Sequence, residues 1–197
     1  MENYRLILER TLENIKQSGK KPTLLLHSCC GPCSSAVLEQ LCEYFDITVY
    51  FYNPNIDTLG EHERRFEAQK HIIESLPQAK DVKLIKGEYD HNGFLKAVLG
   101  YENDREGGTR CTKCFEYRLK SARDMASGYD WFATTLTVSP HKNAVVINTV
   151  GQGLENGGAK YLISDFKKKE GYKRSIQLSK QYDLYRQMYC GCEFSKQ

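Results

Sequence analysis

The chain has no hydrophobic run long enough to cross a membrane. Its longest apolar stretch, Ile47 to Tyr52, is about half a dozen residues, against the roughly 18 that a span requires. The opening residues Met1-Glu2-Asn3-Tyr4-Arg5-Leu6 run directly into a charged helical pattern, so no secretory leader is expected there. Low-complexity runs and sustained heptads are also missing, which excludes collagen-like, coiled-coil and disordered classes. No internal repeat appears, and no linker is long or polar enough to divide the chain. Net charge is small: 28 basic residues against 25 acidic ones leave +3, which neither demands nor excludes a nucleic-acid partner. What remains is a single α/β domain over residues 1–197, large enough for a proper core, with a cytoplasmic location expected.

Helical and strand patterns alternate. Residues 4–18 form an amphipathic pattern with Leu8, Leu12 and Ile15 on one face, stopped by Gly19. Leu24-Leu25-Leu26 reads as a buried strand that enters the small-residue turn His27-Ser28-Cys29-Cys30-Gly31-Pro32-Cys33. A helix with Val37, Leu41 and Phe45 in register follows. Strands are expected at Ile47–Tyr52, Val82–Ile85, Trp131–Thr135 and Tyr161–Ile163. Helices are expected at about 60–76, Phe94–Leu99, Cys111–Ala126, after Ser139-Pro140 and at Ser175–Gln187. In the helix at about 60–76, Phe66 and Ile73 should face inward and Glu61, Arg64 and Arg65 outward. Such alternation implies a parallel sheet with helices on both faces, with ligands bound at the carboxyl ends of its strands.

The chain is rich in cysteine, with eight in all. Disulfide frameworks belong mainly to short secreted chains, and grouped cysteines in a chain of this kind point instead to metal or redox chemistry. Seven of the eight fall into three groups: Cys29-Cys30-x-x-Cys33, Cys111-x-x-Cys114 and Cys190-x-Cys192. Cys42 stands alone at helical spacing and reads as a core residue. A tetrahedral zinc holds its sulfurs about 3.8 Å apart, from Zn–S bonds of about 2.3 Å. The side chains of adjacent residues tend to diverge, so Cys29 and Cys30 are expected to suit one zinc poorly. An iron–sulfur cluster takes one thiolate at each corner, and Cys29, Cys30, Cys111 and Cys114 would make a four-thiolate set. Cys33, Cys190 and Cys192 are then left either to hold a second metal with one position open or, for the last two, to cycle between dithiol and disulfide.

The residues also carry a family likeness. The quoted turn, Phe51-Tyr52-Asn53-Pro54-Asn55-Ile56, Arg110-Cys111-x-x-Cys114-Phe115-x-x-Arg118-Leu119, Thr134-Thr135-Leu136-x-x-Ser139-Pro140-x-Lys142, Asp165-Phe166-Lys167-Lys168 and Gly171-Tyr172-x-Arg174-Ser175 through Tyr189-Cys190-Gly191-Cys192 resemble the cobalamin-independent epoxyqueuosine reductases, the QueH family. The resemblance implies a fold like the adenine-nucleotide α-hydrolase (HUP, Rossmann-like) group. It implies reduction of the epoxide of epoxyqueuosine to queuosine at the tRNA wobble position. It also implies a [4Fe–4S] cluster on Cys29, Cys30, Cys111 and Cys114, with Cys190 and Cys192 as a catalytic redox pair or as ligands, with Cys33, of a mononuclear iron. At the position of Cys33 some members have Asp.

Reduction would draw electrons from an external donor of the ferredoxin or flavodoxin type. Tyr189, Tyr52 and His27 are the candidate proton donors. Lys167, Lys168 and Arg174 form the densest basic segment and are the expected tRNA contacts. Two other readings compete. One is an iron–sulfur-dependent tRNA sulfurtransferase of the ATP-pyrophosphatase type, disfavoured because the turn lacks the Ser-Gly-Gly-x-Asp-Ser phosphate loop. The other is a metal-storage or zinc structural module.

Overall fold

The computed structural model describes residues 2–196. Helix α1 (Tyr4–Ser18) buries Leu8, Leu12 and Ile15; Asn3 caps it by accepting from the Leu6 N–H, and Gly19 ends it in the left-handed region. Five strands follow: β1 (Thr23–Ser28), β2 (Asp46–Phe51), β3 (Lys83–Lys86), β4 (Trp131–Thr134) and β5 (Lys160–Tyr161). Among the described residues they form one sheet in the order β3-β2-β1-β4-β5, with every neighbouring pair parallel.

The apolar strands need cover on both faces, and alternation divides it. Leu24 and Leu26 of β1 enter one core together with α1, α2 (Gly31–Leu41) and α3 (Leu59–Ser75). Leu25 points the other way, with Tyr50 and Phe132, against Ala122 and Ala126 at the end of α5 (Thr109–Met125). Helix α4 (His91–Ala97) and α6 (Ala144–Gly153) pack on α5, and α7 (Gly171–Gln181) packs on α2. The result is the parallel sheet with helices on both faces that the alternation predicts, and it is consistent with the Rossmann-like fold that the resemblance implies.

Chain order reverses between β1 and β4, which opens a crevice at their carboxyl ends. The turn after β1 and the segment after β4 meet there. Helix α2 starts in that crevice with Cys30 at its N-cap in extended conformation and Pro32 in its first turn. Gly31 is required at this point, because a Cβ would collide with the Ala68 carbonyl of α3.

Two expectations are corrected. The last helix ends at Gln181, not Gln187: Asp183 adopts φ +48 and the Leu184 N–H turns back to the Ser179 carbonyl at 2.8 Å. Leu184 then buries in the main core, and the chain beyond it is free to return across α3. Arg65, outward-facing by the sequence pattern, is instead buried, because the face of α3 that carries it is covered by this returning segment. No helix among the described residues is long and apolar enough to cross a membrane.

Candidate metal centre

The first group is built by the bend that closes β1. Cys29 lies in the bend and Cys30 is the N-cap of α2, so strand alternation no longer separates their side chains. Their Sγ atoms are 3.8 Å apart, and the expected divergence is not observed. Cys33, one helical turn on, brings its sulfur in as well, and the three sulfurs lie within 4.8 Å of one another. Gln69 braces the turn from α3 by accepting hydrogen bonds from Ser28 (2.5 Å) and Ser34 (2.8 Å). Thr135, after β4, accepts from the Cys29 N–H (3.1 Å) and donates to its sulfur (3.4 Å). The Cys30 and Cys33 thiols, both directed at Cys29, hold its thiol well below the ordinary range. Cys30 is pushed up to about 12 by its hydrogen bond to Cys29 and by burial.

The second group faces it across the crevice. Cys111 and Cys114 occupy the first turns of α5, and Cys190 and Cys192 arrive on the returning C-terminal segment. All four line one cavity with Phe94, Arg110 and Lys142. The Gly107 N–H donates to the Cys111 sulfur at 3.2 Å. Burial pushes Cys114 up to about 11 and Cys192 up to about 12. Metal binding at these positions would therefore release protons. All eight cysteines are free.

Cations tie the two groups together. Lys142 sits half-buried between them; burial works against its ammonium, but the sulfurs of Cys190, Cys29 and Cys33 outweigh this and raise its pKa. Arg118, one turn after Cys114 on α5, is buried. It lies 4.0 Å from the Cys114 sulfur and donates to Asn53, whose amide in turn donates to the Ser28 carbonyl at the end of β1 (2.9 Å). This chain of contacts links the two cysteine-bearing segments. Seven soft donors, flanked by buried positive charge, make a set that suits iron–sulfur or another thiophilic metal.

The remaining candidate residues lie at varied distances from this centre. His27 is fully buried and bonded on both ring nitrogens, to Thr134 at 2.8 Å and to the Tyr52 carbonyl at 3.0 Å; burial depresses its pKa to about 3. It is a structural group of the core. Tyr52 stacks on Tyr50 on the α5 side of the sheet. Tyr189 donates to Asp57 at 2.9 Å. Cys42 packs against the main core. Lys167 pairs with Asp165 at 3.0 Å, and Arg174 forms a two-pronged bridge to Glu39 at 2.7 and 2.8 Å. Lys168 is exposed and makes no ion pair among the described residues. Sequence reasoning misses the bracing roles of Gln69 and Thr135, whose signals are distributed over three segments. Arg118 could be found from its spacing of four from Cys114 on a helix.

Comparison with known proteins identifies the family. The family model described as epoxyqueuosine reductase QueH matches residues 24–197. The chain is 42% identical to the epoxyqueuosine reductase QueH of Staphylococcus epidermidis, over 98% of this chain and 84% of that protein. It is 40% identical to that of Streptococcus pyogenes, over 98% and 78%. It is 35% identical to that of Thermotoga maritima, over 88% and 90%. Taken with the parallel sheet and the thiol-lined crevice, these matches establish that the chain belongs to the QueH family.

Proposed function

We propose that the chain reduces epoxyqueuosine to queuosine at the wobble position of tRNA. The observation that carries this reading is the convergence of seven cysteines around Lys142, at the switch point of the sheet. The reaction takes two electrons and two protons, converts the epoxide to an alkene and releases the oxygen as water. When bound, a [4Fe–4S] cluster would supply electrons one at a time, and an iron with an open position would polarise the C–O bond. An external donor of the ferredoxin or flavodoxin type replenishes the electrons. Lys142, held among the cysteine sulfurs, would neutralise charge developing on the departing oxygen and give it a proton from Nζ. Arg118 and Asn53 keep the two cysteine-bearing segments in register. Arg174 is bridged to Glu39 of α2, about 9 Å along that helix from Cys33 at 1.5 Å per residue, and together with Lys167 and Lys168 it would hold tRNA phosphates.

In the first assignment of ligands, Cys29, Cys30, Cys111 and Cys114 hold the cluster. Cys33, Cys190 and Cys192 then hold a mononuclear iron, or Cys190 and Cys192 act as a redox pair. A second assignment is favoured by the 3.8 Å between the Cys29 and Cys30 sulfurs, the spacing of two ligands on one tetrahedral ion. In it, Cys29, Cys30 and Cys33 hold the single iron, and the four cavity-lining thiols hold the cluster.

Replacing single cysteines by Ala and counting iron and acid-labile sulfide separates the two. The first assignment predicts that Cys29→Ala loses the sulfide, whereas Cys190→Ala keeps it and loses about one iron or none. The second predicts the reverse. Full iron and sulfide in both variants would overturn the metal centre itself. The sulfurtransferase reading is not favoured, because the turn after β1 carries cysteines in place of a phosphate loop.

A further inference from the structure

Among the described residues, the segment that delivers Cys190 and Cys192 has no helix after Gln181 except a single turn at Glu193–Ser195, yet it is pinned repeatedly to α3 and the loop before it. At the centre of the anchorage is Arg65. Its Nε lies 2.7 Å from Glu61 Oε1, Nη1 donates to the Cys190 carbonyl at 3.0 Å, and Nη2 donates to the Tyr189 carbonyl at 3.4 Å. The guanidinium also lies over the Tyr189 ring, 5.1 Å from its centroid. Arg65 is only 2% exposed. A buried guanidinium is costly unless its donors are met, and here the partners are Glu61 and the returning segment itself.

The neighbouring contacts converge on the same stretch. The Tyr185 hydroxyl donates to Glu61 at 2.9 Å, the Tyr189 hydroxyl donates to Asp57, and the Asp57 N–H donates to the Gly191 carbonyl at 2.9 Å. Gly191 has φ +108, and a Cβ on it would stand 2.8 Å from Arg65 Nη1. Glycine therefore permits both the conformation and the close approach.

We infer that Arg65 is a positioning residue: its planar fork grips the carbonyls of Tyr189 and Cys190 and thereby sets where the thiols of Cys190 and Cys192 stand in the site. The inference rests on the reading that these two thiols serve the reaction. Lysine would keep the charge and the pairing with Glu61. Its single ammonium cannot hold both carbonyls in a fixed plane at the same time.

The test uses the iron-loaded protein as wild type, Arg65→Lys, Gly191→Ala and Cys190→Ala. Two measurements are made: the rate at which iodoacetamide alkylates each cysteine, resolved by peptide mass, and the steady-state kinetics, kcat and KM, on the tRNA substrate. Arg65→Lys should alkylate at Cys190 and Cys192 about tenfold faster, the weight of one charge-assisted hydrogen bond. Its kcat should fall comparably, with KM for tRNA little changed. Gly191→Ala, whose Cβ would crowd Arg65 Nη1 from within the gripped segment, should do the same. Cys42, remote from the anchorage, should react at the wild-type rate in both. If Arg65→Lys unfolds, shown by faster reaction at Cys42, Gly191→Ala decides. Wild-type alkylation rates at Cys190 and Cys192 in both variants would overturn the inference. Full activity in Cys190→Ala would instead overturn the functional reading, and the alkylation rates alone would then decide whether Arg65 positions the segment.

Discussion

His62 shows what a single side chain outside the cysteine groups can govern. It is fully buried on α3, edge-on to Phe51 and tilted against Tyr89, with ring centroids 5.1 and 4.8 Å away. Its ring nitrogens make no hydrogen bond among the described residues, and the Glu63 carboxylate stands off at 3.6 Å. Burial holds its pKa below the ordinary 6.5. The unfolded chain therefore binds a proton that the folded chain refuses. Above about pH 6.5 this has no effect; below it stability falls, with a slope of at most about 1.4 kcal/mol per pH unit. His62→Phe should flatten the acid side of a plot of urea midpoint against pH and leave the neutral value nearly unchanged. An unaltered acid slope would show that His62 titrates normally. At this scale the sequence is informative about identities and weak on orientation. The cysteine groups are visible from spacing, but the convergence of Cys29 and Cys30 is not, because the alternation rule stops where β1 bends. Arg65 reads as a solvated helix residue because the segment that buries it comes from more than 120 residues later.

Helices and strands are more legible than side-chain partners. The apolar faces of α1 and α5 and the strand cores are dictated by local periodicity, and their positions hold to within a few residues. The exception is α7, where a left-handed Asp183 ends the helix and no glycine marks the place. The basic segment that runs into the first turn of α7 is the element on which the tRNA reading depends. Two of its three named cations are already paired within the chain, to Asp165 and Glu39, and Lys168 is the exposed one. Replacing Lys167, Lys168 and Arg174 together by Ala should weaken tRNA binding and shallow the salt dependence by about 0.7–0.9 for each phosphate no longer neutralised. Lys168→Ala alone should account for more of the loss than Lys167→Ala. Iron and sulfide content should stay at wild-type values throughout. Equal affinity of the triple variant and wild type at two salt concentrations would remove this segment from the interface.

The whole molecule places its chemistry where a doubly wound sheet places a ligand, at the carboxyl ends of β1 and β4. The alternating patterns of the sequence identify the fold class. They cannot supply the strand order, because pairing of β1 with β4 joins segments about 100 residues apart and depends on which faces both cores can cover. Nor can they show the return of the C-terminal segment over α3, which completes the thiol-lined cavity. The account as a whole stands on one reaction. The direct measurement is anaerobic incubation of the iron-loaded protein and a low-potential reductant with tRNA carrying epoxyqueuosine, followed by digestion and nucleoside mass analysis. Wild type should convert epoxyqueuosine to a nucleoside lighter by one oxygen, with Cys190→Ala and Cys192→Ala leaving the epoxide intact. An unchanged epoxide with fully iron-loaded wild type, or full conversion by either cysteine variant, would contradict it.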